Sequence, residues 1–164
     1  MADLHAGVPV VPSVLDRLID HDPGNRREPP RGPLQIVKEL KQAVRRDLEN
    51  LLNTRWRCKA WPPNMDELDV SLVNYGIPDF TGANLAVAPA REEFRRIIEL
   101  VIRRYEPRFK SVRVELVENS DETDRTMRFR IDAVLFAEPE PEPVVFDSVL
   151  EPTTSSFEIT RSSR

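Results

Sequence analysis

The sequence predicts an α+β domain, with two main helices packed on a small, largely antiparallel sheet. Three observations carry this prediction. Apolar residues recur at three and four spacing in two long segments, they alternate at a period of two nearer the C-terminus, and prolines and glycines separate these segments. Helical segments first and strands later are the order of an α+β fold.

Each element can be justified in turn. Residues 1–12 are expected to be a flexible N-terminus. Residues 13–20 form a short amphipathic turn or helix, with Val14, Leu15, Leu18 and Ile19 apolar and Ser13 as its N-cap. Residues 22–33, rich in Pro, Gly and Arg, read as a linker. A first long helix follows over 34–53, where Val37, Leu40, Val44, Leu48 and Leu51 make one stripe and Lys38, Lys41, Arg45, Arg46 and Glu49 fall away from it. Residues 54–65 form a loop with Trp56, Trp61, Pro62 and Pro63. Residues 66–88 hold a helical turn and then irregular chain punctuated by Gly76, Pro78 and Gly82. The second long helix spans 90–105 on the stripe Phe94, Ile97, Ile98, Val101, Ile102 and Tyr105. Pro89 sits near its start and Pro107 ends it, because a proline disfavours the helical region at the residue before it.

Val112, Val114 and Leu116 then alternate with Arg113 and Glu115. After the polar turn 119–124, Met127, Phe129, Ile131, Ala133 and Leu135 alternate with Arg128, Arg130 and Asp132, which predicts an antiparallel hairpin. Residues 138–143, Glu-Pro-Glu-Pro-Glu-Pro, are a stiff, acidic, extended connector. A third strand over 144–150 and a fourth containing Phe157 and Ile159 complete the sheet, with Phe146 expected in the core. The organisation is thus a tail over 1–12, a single domain over 13–160 and a C-terminal tail over 161–164.

Composition narrows the functional classes. A chain of 164 residues suits one domain, and 15 prolines against 5 glycines imply rigid, extended connections. Cys58 is the single cysteine, so no internal disulfide can form, which fits a reducing compartment. The N-terminal stretch lacks a basic n-region and is broken by Pro9 and Pro12, unlike a signal peptide, and no apolar run reaches the roughly 18–20 residues of a membrane span. A cytoplasmic protein is expected. The formal net charge of −4 hides a polarity: 26–59 carries ten Lys/Arg against four Asp/Glu, and 115–158 carries twelve Asp/Glu against three Arg. Such a distribution suits head-to-tail assembly or a charged partner, and also an ordinary solvated surface.

Catalytic chemistry finds little footing. His5 and His21 lie in the tail and the linker, without a ligand set, so no metal and no cofactor is expected. No Gly-rich phosphate-binding motif occurs. A glycosidase needs only two carboxylates, and a peptidoglycan hydrolase is the enzyme alternative. The best-placed acid, Glu106, lies among Arg103, Arg104 and Arg108, which favour its charged form, the wrong direction for a general acid. Arg26, Arg27, Arg31, Arg45, Arg46, Arg55, Arg57 and Lys59 with Trp56 and Trp61 are the raw material of a nucleic-acid-binding module, but a pI of about 5.3 opposes that reading. Partner binding remains: an open strand edge is a template for an added strand, unless charge and proline at 138–143 cap it. From the residues alone the chain is an α+β binding module.

Five ordered segments then point to a family. Asn50-Leu-Leu-Asn-Thr-Arg55, Ser71-Leu-Val-Asn-Tyr-Gly-Ile-Pro-Asp-Phe80, Arg104-Tyr-Glu-Pro-Arg-Phe109, Phe129-Arg-Ile-Asp-Ala133 and Pro143-Val-Val-Phe-Asp-Ser148 together resemble the TssE proteins of type VI secretion, part of the "lysozyme-like" baseplate wedge family of contractile tails. The resemblance spans roughly residues 13–160. It implies a fold like the interlocking domain of the sheath subunit, and a structural, non-enzymatic role in the wedge. The implied partners are TssF and TssG, the TssB–TssC sheath whose polymerisation the subunit helps to start, and TssK as a further neighbour. The implied place is the baseplate at the cytoplasmic side of the inner membrane, with no nucleic acid bound and no membrane insertion. The family's Glu-Pro-Arg motif falls on Glu106, Pro107 and Arg108, implied to bind partners. In physical terms Pro107 fixes the exit from the helix and holds Glu106 and Arg108 on a rigid corner. There they can bond a partner, or pair internally and cap the helix, or both.

Overall fold

The computed structural model describes residues 13–19, 23–24, 32–56, 62, 64–65, 67–68, 71–80, 85, 87–119, 125–137, 140–151 and 153–161. The expected tail at 1–12, residues 162–164 of the expected tail at 161–164, most of the linker and of the 119–124 turn, and His5, His21, Cys58 and Trp61 lie outside them, whereas Arg161 is described and pairs with Phe146 in the last strand.

Helix α1 (Val14–Leu18) opens the described chain. Ser13 caps it as foreseen, its Oγ accepting from the Asp16 N–H at 3.1 Å while Asp16 accepts from the Ser13 N–H at 3.2 Å. Helix α2 (Pro33–Asn53) and helix α3 (Ala88–Tyr105) both begin with proline in the first turn, where a missing N–H costs nothing. A 3₁₀ turn (Leu72–Asn74) lies between them. Strands β1 (Phe109–Val117), β2 (Met127–Leu135), β3 (Glu142–Glu151) and β4 (Ser156–Arg161) form one antiparallel sheet in the order β1-β2-β3-β4. The architecture is therefore α+β, two main helices on an antiparallel sheet.

The third strand begins before the expected 144. Glu142 and Pro143 pair with Leu135 and Val134, so the end of the acidic connector belongs to β3. Proline is tolerated there because β4 reaches only to Phe146, leaving one side of β3 without a neighbour strand. Glu142 and Pro143 thus lie on the stretch of β3 that β4 leaves uncovered, 138–139 lie outside the described residues, and the outermost strands are β1 and β4.

The helices lie side by side, α3 against β1 and α2 against β4. Their stripes meet the buried face of the sheet in one core. Phe94 packs with Phe80 at 4.8 Å between ring centroids and with Phe129 at 6.1 Å. Phe129 and Phe146 are the largest fully buried side chains, and truncating either to alanine should cost about 3–5 kcal/mol. Phe146 is thus core, as its strand period implied.

The loop after α2 is pinned to the core by a short parallel bridge between Arg55 and Ile77. Trp56 N donates to Ile77 O and Ile77 N donates to Thr54 O, each at 2.9 Å. Gly76 makes this possible. Its φ is +111°, and a Cβ there would sit 2.4 Å from Thr54 O.

Candidate assembly interface

The corner between α3 and β1 is built from three consecutive residues. Glu106 ends α3 at φ −114° and ψ 82°, its N–H still donating to Ile102 O at 2.9 Å. Pro107 and Arg108 make the turn, and β1 starts at Phe109. The Arg108 carbonyl accepts from Phe136 N at 2.9 Å, which ties the corner to the end of β2.

Glu106 is 5% exposed and turned inward. Arg108 meets its carboxylate with two parallel hydrogen bonds, Nε to Oε1 at 2.6 Å and Nη2 to Oε2 at 2.5 Å, and adds its own N–H to Oε1 at 3.2 Å. The fork matches a carboxylate plane, an arrangement lysine could not copy. Nη2 also donates to Asp47 Oδ2 on α2 at 2.7 Å. Burial alone would lower the Arg108 pKa, but the bonds and charges of Glu106 and then Asp47 outweigh it and raise the pKa, so the guanidinium stays charged. Arg108 Nη1 is enclosed without a partner among the described residues. Pro107 is exposed and Arg108 partly so.

The corner continues into a longer ionic chain. Asp47 accepts from Arg46 Nε at 3.0 Å and Nη2 at 2.8 Å, and Arg46 Nη2 reaches Asp16 Oδ1 at 2.8 Å. Glu106, Arg108, Asp47, Arg46 and Asp16 thus connect the end of α3, the middle of α2 and α1. On a second side of the corner, Tyr75 stands edge-on to Tyr105 at 5.3 Å and 72°, and Tyr105 Oη donates to Ser71 O at 3.4 Å. Burial, then the charges of Asp47 and Glu106, push the Tyr75 phenol above its ordinary value. The 71–80 motif is thereby brought against the 104–109 motif.

The structure places Glu106, Pro107 and Arg108 together, with the two charged side chains paired internally. Asp47 and Asp16 escaped the sequence reading, and Arg46 entered it only as a residue off the apolar stripe and in the basic set. Asp47 follows two arginines in a helix of mixed charge and lies 61 residues from its partner Arg108, and no local spacing signals such a pair. Among the described residues, no group of three or more His, Cys, Asp or Glu that could hold a metal occurs, and no helix is long and apolar enough to cross a membrane.

A packed sheet, a proline-fixed corner and an ionic chain running between helices define a structural module, in which charge serves to position elements. Residues 38–140 match the family model described as baseplate wedge protein gp25. That is more than half of the chain, and the chain belongs to this family, whose role is that of a structural component of a baseplate. Among solved structures, it is similar to a chain of "The baseplate complex from the type VI secretion system", with 20% identity and a TM-score of 0.47, covering 70% of this chain and 96% of that one. The search of curated proteins gives no match.

Proposed function

We propose that this chain is a TssE-type subunit of a type VI secretion baseplate wedge. It joins TssF and TssG through the corner Glu106–Pro107–Arg108, and its sheet meets the first TssB–TssC ring and helps to start sheath polymerisation. TssK is a further neighbour, and the assembly stands at the cytoplasmic side of the inner membrane. The observation that carries this reading is the family match over 38–140, which runs from α2 through the corner to the end of β2. The five ordered motifs support its type VI branch. In mechanism, the internal pair fixes the corner before any partner arrives, so little ordering remains to be done on docking. Pro107 and the partly exposed side of Arg108 are what the corner offers outward.

Co-purification tests the proposal. The tagged full chain, expressed with TssF and TssG, should retain both through washing. Absence of both, under conditions where TssF and TssG hold each other, would remove the reading. Clearing of a cell-wall suspension, or steep salt-dependent binding to DNA, would replace it with the hydrolase or the nucleic-acid reading.

A further inference from the structure

The outer edge of β1 is closed by side chains instead of a strand. Arg103 Nη2 donates to Val112 O at 3.2 Å and Arg95 Nη1 donates to Val114 O at 2.8 Å, while Val114 N donates to Glu99 Oε2 at 3.1 Å. Residues 95, 99 and 103 follow at four spacing and so form one row of α3 along the strand. The row holds itself together: Glu99 pairs with Arg95 at 2.9 Å and with Arg103 at 3.0 Å, and Glu92 steadies Arg95 at 2.9 Å.

The other outer strand is closed differently. On β4 the neutral Asn53 carboxamide exchanges two hydrogen bonds with Phe157, at 2.9 and 2.8 Å, and a single cation, Arg45, donates to Ile159 O at 3.1 Å. The β1 closure is ionic, and it lines an open groove that water and salt can enter. Arg103 is 66% exposed, whereas Arg95 and Glu99 are 19% and 23% exposed, so the Arg103 end is the weak end of the row. Exposed ion pairs are worth little each and are screened by salt.

The bare edge of β1 would also be complementary to itself. Val112 and Val114 turn their backbone groups outward, so an antiparallel pairing of two β1 strands centred on Val114 exchanges hydrogen bonds between the two copies of that residue. In that register Arg113 lies opposite Glu115 of the second copy, and Glu115 opposite its Arg113. Both side chains are on the exposed face, 77% and 46% exposed, and within one chain they pair with each other at 3.0 Å, a pair that would exchange for the two cross-strand ones.

We infer that Arg95, Glu99 and Arg103 form a displaceable latch on β1, and that with the latch removed β1 pairs antiparallel with β1 of a second copy of this chain. The inference stands on the edge geometry and does not rest on the wedge reading.

Sedimentation of the purified full chain tests it. Wild type should run at the mass of one copy. The triple variant Arg95→Ala/Glu99→Ala/Arg103→Ala should run at the mass of two, and adding Arg113→Glu, which sets acid against acid across the pair, should return it to one. A folded triple variant that stays at one copy, or a pair that survives Arg113→Glu, overturns the inference. Should the triple variant not fold, Glu99→Ala alone decides. Its Val114 amide should exchange hydrogen about tenfold faster than in wild type, for one lost charge-assisted bond, and an unchanged rate overturns the latch.

Discussion

Arg108 holds Glu106 across a single proline, with two guanidinium nitrogens on the two carboxylate oxygens at 2.6 and 2.5 Å. Because the pair spans the end of α3 and the start of β1, it sets the angle between helix and sheet. Because the same guanidinium reaches Asp47, it also fixes α2 against that angle. Removing one partner of a buried pair costs about 3–5 kcal/mol where the other charge is left uncompensated, and the remaining Asp47 contact to Arg108 puts Glu106→Ala at the low end of that range. Glu106→Ala should therefore destabilise the chain by about 3 kcal/mol in urea unfolding. The double variant Glu106→Ala/Arg108→Ala should lose clearly less than the sum of the singles. Additive losses would mean that the two residues act separately.

Asp16 anchors α1. Burial disfavours its charged form, but hydrogen bonds from Ser13 and Arg46, with the charge of Arg46, outweigh this and hold its pKa below the ordinary 3.8. A carboxyl with a depressed folded pKa stabilises fully above its unfolded pKa and loses that contribution as pH falls through the folded one. The Asp16–Arg46 link should thus be complete well above pH 3.8 and be lost as pH falls through a folded-state midpoint below 3.8. An NMR titration of the α1 amides measures this. A midpoint at or above 3.8 would contradict it, and in Asp16→Asn the acid transition should vanish.

Gly76 has no substitute. Alanine would have to adopt φ +111° and place its Cβ against Thr54 O. Gly76→Ala should lower stability by at least about 2 kcal/mol, with the loss seen in thermal unfolding. Exchange at the Ile77 amide, which donates to Thr54 O, should rise first. A neutral substitution would mean that the bridge after α2 is dispensable.

Much of the scaffold was legible because it is periodic. The stripes of α2 and α3 ran close to their observed ends, with Pro33, Pro89 and Pro107 marking boundaries that steric and hydrogen-bond rules explain. The alternation of β2 appears unchanged as its burial pattern. What periodicity cannot carry is who meets whom. Val14, Leu15 and Leu18 looked like a packing face, yet they are 65%, 56% and 75% exposed, and the polar Asp16 makes the link to α2. The edges of the sheet were expected to be open or capped by 138–143. Instead, side chains of α3 and α2 reach β1 and β4, in one case across 114 residues from Arg45 to Ile159 O. The corner was legible as a motif, while its partner Asp47 was not, since nothing local distinguishes it from Glu39 and Glu49 on the same mixed-charge helix.

The central claim is that a braced corner presents Pro107 and Arg108 to the wedge. Arg108→Lys tests it most directly, because lysine keeps the charge and loses the fork. The measurement is retention of TssF and TssG by the tagged variant, at a temperature where circular dichroism shows it folded. The account predicts a folded protein that no longer retains TssF and TssG. A folded Arg108→Lys chain that retains both as wild type does would contradict it and place the contact elsewhere on the surface.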